Sequence, residues 1–134
     1  MKRLSLFIYF FLITVLQAAA QQSFDKTAVK SVMKRVADWQ IANPNKGAEH
    51  DDLDWTHAAL YMGMLDWAEL TEKEDSDDSY YQWLLRIGQR NHFQIGKWMY
   101  HADFIAVGQP FIDLYLKYGN KKMIAPVMAR ANWV

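Results

Sequence analysis

The 134-residue sequence has no cysteine, and its positive and negative charges balance. Without cysteine the chain has no disulfide and no thiolate metal site, so its stability must come from packing alone. Fifteen Lys and Arg residues against fifteen Asp and Glu residues give a formal net charge of 0, with no basic surplus for nucleic acid. A Gly-rich phosphate loop, a GxSxG motif and an HExxH motif are also missing. The sequence therefore offers none of the chemistry that these motifs carry.

Long hydrophobic runs are scarce as well, and the clearest one opens the chain. Lys2 and Arg3 precede the apolar segment LSLFIYFFLITVL, and three alanines lie just ahead of Gln21. This pattern predicts a secretory signal peptide over residues 1–20 and an exported protein, periplasmic or secreted. Cleavage would leave residues 21–134 without a stable membrane anchor and, having lost two positive charges, with a net charge of −2. An uncleaved N-terminal anchor is the alternative, whereas a lipid anchor attached through cysteine is excluded.

Aromatic residues, in contrast, are abundant. The sequence has six Trp, seven Tyr and seven Phe, and every Trp lies after residue 20. A chain of this length buries only about two-thirds of its unfolded surface. So many aromatic side chains indicate either a large core or stacking surfaces for a ligand.

After residue 20 the pattern is helical throughout. Apolar residues at 3.6-residue spacing predict a first helix over residues 25–42, which the NPNKG loop ends. An acidic cluster opens a second helix over residues 55–71, because acidic side chains favour the positive end of a helix. A third helix follows the acidic run EKEDSDDS, and a loop over residues 91–100 comes after it.

A fourth helix is predicted over residues 102–118, with Gly119 as its C-cap. Pro110 lies inside it and is expected to kink it, since proline removes a backbone donor and clashes with the preceding turn. A short connector leads to Pro126, which suits the first turn of a fifth helix.

The helices alternate between amphipathic and nearly all-apolar, as expected of outer and inner helices in stacked hairpins. Asp54 opens the second helix and Asp103 the fourth, 49 residues apart, and a period near fifty indicates repeated helical hairpins. If consecutive helices are antiparallel, both inner helices run in the same direction. Their N-termini then bring Trp55 close to His101 and Asp103.

Each of these three residues has an ordinary structural role as well as a functional one. Asp103 is either a helix N-cap or a carboxylate that faces a pocket and accepts hydrogen bonds from sugar hydroxyls. Trp55 is either a core residue or a platform for the apolar face of a pyranose. His101 is either a structural donor or a pocket residue; the His101–Asp103 spacing by itself is not specific for metal, and we expect no metal site.

Two segments together resemble a known family. DLDWTHAALYMGMLDWAELT, residues 52–71, resembles the first inner helix of glycoside hydrolase family 105, the unsaturated rhamnogalacturonyl hydrolases. KWMYHADFIAVGQPFIDLYLKYGNKKMIAP, residues 97–126, is similar to the segment that contains that family's next inner helix. The related family 88 of unsaturated glucuronyl hydrolases shares this architecture. The resemblance covers residues 26–130, nearly all of the predicted mature chain.

The resemblance implies an all-α fold, the (α/α)6 barrel, whose inner helices converge on a pocket. It implies hydrolysis, without metal or cofactor, of a C4=C5 unsaturated uronic acid from lyase-generated rhamnogalacturonan or pectin oligosaccharides. By position, Asp103 is implied as the first active-site aspartate, Trp55 as an aromatic residue lining the pocket, and His101 as its neighbour.

The resemblance also implies a second aspartate, the principal acid/base, on a later inner helix. We expect residues 21–134 to hold only the first two hairpins and the start of the third, and to be inactive alone. Two alternatives remain open: a non-catalytic helical-repeat module that binds glycans, and an interaction protein that docks through apolar surface.

Overall fold

The structure, a computed structural model, describes residues 25–44 and 51–133, and the predicted signal peptide lies outside them. These residues form helices and no strand. No helix among them is both long enough and apolar enough to cross a bilayer. The elements are α1 (Lys26–Ala42), α2 (Trp55–Asp75), α3 (Ser79–Arg90), α4 (Ala102–Ile105), α5 (Gly108–Tyr118), a 3-10 turn (Lys121–Met123) and α6 (Ala125–Ala131).

The chain divides into two compact units, and the first ends at Trp39 within α1. The predicted first helix is confirmed: it begins at Lys26, where the Asp25 carboxylate accepts a hydrogen bond from the backbone N–H of Ala28 at 2.9 Å. Ala37 is the buried residue of α1. The large apolar side chains of its predicted stripe are exposed: Val29, Val32, Met33, Val36 and Trp39.

The second unit begins at Gln40, and α2 is its longest helix. Asp54 caps α2, because its Oδ1 accepts hydrogen bonds from the backbone N–H and the hydroxyl of Thr56, both at 3.1 Å. This start agrees with the prediction, but α2 runs one turn past the predicted end, to Asp75. The first part of the acidic run EKEDSDDS is therefore helical, and the chain turns only at Ser76, which takes a left-handed conformation.

Helices α2 and α3 form an antiparallel hairpin. Asp52, just ahead of α2, accepts two hydrogen bonds from Arg90 at the end of α3, both at 2.7 Å. Between the helices, edge-on aromatic pairs fill the core, with ring centroids 5.8 to 5.9 Å apart: Tyr61 with Trp83, and Trp67 with Tyr80. Such pairs stabilise a fold by about 0.5–1.5 kcal/mol beyond their burial. These four aromatic residues therefore belong to the core, whereas Trp39, Trp55, Trp98 and Trp133 are exposed.

The predicted loop after α3 is confirmed, and it begins with a tight turn at His92 and Phe93. His92 and Phe93 both have positive φ, 52° and 53°, which side-chain-bearing residues adopt rarely. The Phe93 ring packs over Gly88, where an added Cβ would lie 2.3 Å from the ring, and edge-on against Phe111. Burial of Phe93 in the core compensates for the strained backbone.

The prediction of one kinked helix over residues 102–118 is wrong. The helix breaks at Ala106 and Val107, so the short α4 precedes α5. Pro110 is the third residue of α5, where backbone N–H groups lack a partner within the helix in any case. The proline therefore begins a new helix instead of bending an old one, and its side chain is buried.

Helices α2 and α5 run in the same direction, as the sequence predicts for two inner helices. Lys117 at the end of α5 pairs with Glu72 near the end of α2, Nζ to Oε2 at 2.5 Å. Gly119 caps α5 with φ 68° and donates to the Tyr115 carbonyl, which confirms the predicted C-cap. The N-terminal end of α2 and the segment leading into α5 therefore lie at the same end of this unit.

The predicted fifth helix is also confirmed. It is α6, which has Pro126 in its first turn.

Candidate functional site

Trp55, the first residue of α2, lies at the end of the unit where α2 begins and α3 finishes. Its neighbour Asp54 is committed to capping the helix. The Trp55 side chain is half exposed, with 50 % of its surface accessible. This position rules out the core role and leaves the indole free to contact a ligand. No hydrogen bond or ring contact in the described part of the chain joins Trp55 to His101 or Asp103.

His101 and Asp103 do lie together, at the start of α4. The His101 Nδ1 is 3.7 Å from the Asp103 Oδ2, and both side chains are about half exposed. His101 occupies the N-cap position but makes no side-chain capping bond, and Asp103 lies in the first turn. Asp103 is therefore not the N-cap, which removes one of its two sequence-based roles. The His101 ring is held by Trp98 and Phe104, at centroid distances of 5.7 and 5.2 Å.

The aromatic loop, residues 94–101, positions this pair. Its first part is anchored where the Gly96 N–H donates to the Phe104 carbonyl at 2.7 Å. Trp98 stacks on Phe104, with planes 25° apart, so the loop and α4 share one small aromatic cluster. Gly96 permits this approach, since an added Cβ would lie 2.1 Å from the Phe104 ring.

Arg130 of α6 fixes the same loop from the other side. Its guanidinium donates to the carbonyl oxygens of Gly96 and Trp98 at 2.8 Å and of Met99 at 3.2 Å. A planar group with five N–H donors suits several carbonyls at once. Sequence reasoning missed Arg130 because its acceptors are backbone atoms more than thirty positions earlier, which no residue pattern reveals.

A second polar feature surrounds Asp52, where α2 begins and α3 ends. The carboxylate accepts from Arg90 and, at 2.8 Å, from Asn91, and it borders an open cavity of about 540 Å³. Burial, and then the nearby charge of Asp52, raise the pKa of the Tyr61 phenol above its ordinary value. Both oxygens of Asp52 are thus engaged within the protein, so this carboxylate fastens the α2–α3 hairpin.

The Asp103 side chain is about half exposed and lies beside His101. Its carboxylate can accept hydrogen bonds from sugar hydroxyls, and the His101 imidazole beside it can donate or accept. Three or more potential metal-ligating side chains do not cluster anywhere in residues 25–44 and 51–133. The groups present suit the binding of a polar, hydroxyl-rich molecule against aromatic surface.

Comparison with models of known protein families gives a match. The sequence model described as Glycosyl Hydrolase Family 88 matches residues 13–134, nearly the whole chain. Comparisons with curated proteins and with solved structures returned no match. The all-helical architecture agrees with the helical barrel of this family. The chain therefore belongs to Glycosyl Hydrolase Family 88, and this membership implies a glycoside hydrolase that acts on unsaturated uronides.

Proposed function

We propose that the protein is an exported hydrolase of the unsaturated rhamnogalacturonyl type, which removes a C4=C5 unsaturated uronic acid from lyase-generated pectin oligosaccharides. The observation that carries this proposal is the family match over residues 13–134. The narrower rhamnogalacturonyl assignment rests, in addition, on the resemblance of residues 52–71 and 97–126 to family 105.

The reaction begins at the enol-ether double bond of the substrate. A proton adds to C4 and a water hydroxyl adds to C5, which gives a hemiketal. Opening of the hemiketal leads to cleavage of the glycosidic bond and release of the next sugar. An ordinary glycosidase differs, because its two carboxylates work directly at the anomeric carbon.

In this proposal Asp103 holds the sugar by accepting hydrogen bonds from its hydroxyl groups. The exposed carboxylate and the adjacent His101, 3.7 Å away, support that role. Proton delivery belongs to a second aspartate on a later inner helix, as the resemblance implies. Trp55 contributes a half-exposed indole that can stack on the apolar face of a sugar ring.

The test uses the protein isolated from its native source and an unsaturated uronyl disaccharide. Hydration of the double bond abolishes the ultraviolet absorbance of the substrate, so we expect a steady, enzyme-dependent loss of absorbance. Calorimetry with the same disaccharide and its saturated counterpart measures whether binding depends on the double bond. Equal affinity for the two, without loss of absorbance, would contradict the proposal and favour a glycan-binding module.

The glycan-binding alternative has its own structural support in three exposed aromatic side chains near His101: Trp98, Tyr100 and Trp133. Such surfaces are also found in lectins, which do not require a double bond. The calorimetric comparison therefore separates the two functions.

A further inference from the structure

We propose that Tyr100 and Trp133, the stacking pair, form a subsite for the third sugar of the substrate, counted from the unsaturated uronate. This inference rests on the proposed function for the position of the uronate at His101 and Asp103. The two rings lie in contact, with centroids 6.0 Å apart and planes 51° apart. They are also well exposed, at 73 % for Tyr100 and 63 % for Trp133.

The pair is built from two separate segments that Arg130 holds together. Tyr100 belongs to the aromatic loop, and Trp133 follows α6 by two residues. The three hydrogen bonds from Arg130 to Gly96, Trp98 and Met99 fix the loop against α6. The backbone segments that carry the two rings are therefore held together before any ligand arrives, which lowers the entropic cost of binding.

Two open cavities flank the stacking pair and share Met99. One, of about 550 Å³, lies along residues 97–101, and the other, of about 360 Å³, includes Arg130 and Trp133. Both volumes fall within the range of small-molecule sites, about 300–1,000 Å³. Because His101 lines the first cavity and Trp133 the second, the two cavities lead from the candidate site to the stacking pair.

The charges of this surface fit an acidic saccharide. Lys97 and Arg130 are the charged residues that line the two cavities, and neither cavity is lined by an Asp or a Glu. Three of the five N–H groups of Arg130 bond the loop carbonyls, which leaves two for a ligand. Aromatic rings for the apolar faces and cations for a carboxylate together suit a uronate-containing oligosaccharide.

The test compares Tyr100→Ala and Trp133→Ala with Trp39→Ala. Trp39 is the matched control, because its side chain is 62 % exposed but lies in α1, in the other compact unit. Calorimetry measures the affinity of each variant for an unsaturated uronyl disaccharide and for a longer unsaturated oligosaccharide with the same first sugar. Circular dichroism checks that each variant keeps its helical content.

We expect the wild-type protein to bind the longer ligand more tightly. Each of the two subsite variants is expected to lose about tenfold in affinity for it, the order expected for one aromatic stacking contact. Their affinity for the disaccharide changes less, and Trp39→Ala behaves like the wild type. This pattern supports the subsite.

Three other results would overturn the subsite, the proposed function or both. If all variants bind both ligands like the wild type, the subsite is wrong and the proposed function stands. If saturated and unsaturated oligosaccharides bind equally through the stacking pair, the subsite stands and the proposed function is wrong. If the wild type binds no oligosaccharide, and Trp133→Ala only dissociates a homodimer in light scattering, the surface is a self-association interface and both proposals are wrong.

Discussion

Replacing Arg130 by methionine should loosen the aromatic loop without unfolding the helices. Methionine keeps much of the apolar stem but loses the hydrogen bonds to the carbonyl oxygens of Gly96, Trp98 and Met99. One of these bonds is exposed and two are partly buried, so water replaces them in part. At about 0.7 kcal/mol for each bond, within the usual net range, the loop loses about 2 kcal/mol.

Hydrogen exchange followed by mass spectrometry measures this loss directly. The Gly96 amide, bonded to the Phe104 carbonyl at 2.7 Å, reports on opening of the loop. A change of about 2 kcal/mol corresponds to exchange about thirty times faster, while α2 and α3 keep their protection. Arg130→Lys should fall in between, because an ammonium group lacks the planar fork that reaches several carbonyls.

The control for this experiment is Arg86→Met, which removes an exposed arginine from the outer side of α3. It should leave the exchange of Gly96 unchanged. If Arg130→Met also leaves Gly96 protected, the three hydrogen bonds do not hold the loop. The reasoning that links α6 to the candidate site would then be refuted.

Three further predictions concern the site, alkaline stability and export. Asp103→Asn should keep the fold and lose at least tenfold in affinity for the unsaturated disaccharide by calorimetry; near-wild-type binding would remove Asp103 from the site. The raised pKa of Tyr61 means that its neutral form is favoured in the folded state, whereas the unfolded phenol ionises near pH 10. Stability in urea should therefore be full below about pH 10 and fall as the pH rises further, less steeply in Tyr61→Phe. The mass of the protein from its native source should show cleavage after Ala20, and a retained N-terminus would refute the signal peptide.

Much of the helical layout could be predicted because it depends on local patterns. The caps at Asp54 and Gly119 and the apolar stripes each act within a few residues, so the starts of α2 and α6 and the end of α5 were predictable. The parallel course of α2 and α5 was predictable because consecutive helices were expected to be antiparallel, so that both inner helices run in the same direction. Fold class is therefore the best-determined property of this sequence.

The break before Pro110 could not be read in the same way. A proline is compatible both with a kink inside a helix and with the first turn of a new one. The choice depends on tertiary contacts, here the burial of Val107, Gly108 and Pro110 against neighbouring elements. Position along the sequence carries no information about that burial.

The candidate site was predictable only where its residues are adjacent in sequence. The spacing of His101 and Asp103 on one short segment brought them together in the prediction and in the structure. Arg130 of α6 and Trp133 just after it reach the same surface: Arg130 contacts the loop backbone, and Trp133 contacts the exposed Tyr100 ring. Such long-range contacts leave no periodic signal.

The contact between Gly88 and Phe93 also has a consequence for how this sequence can diverge. The ring occupies the space that any side chain at position 88 would need, and four residues, the last two of α3 and two of the turn, separate Gly88 from Phe93. An insertion or deletion there would move the ring off the glycine. In homologous sequences we therefore expect these two positions to covary, with an aromatic residue at 93 retained only where 88 remains glycine.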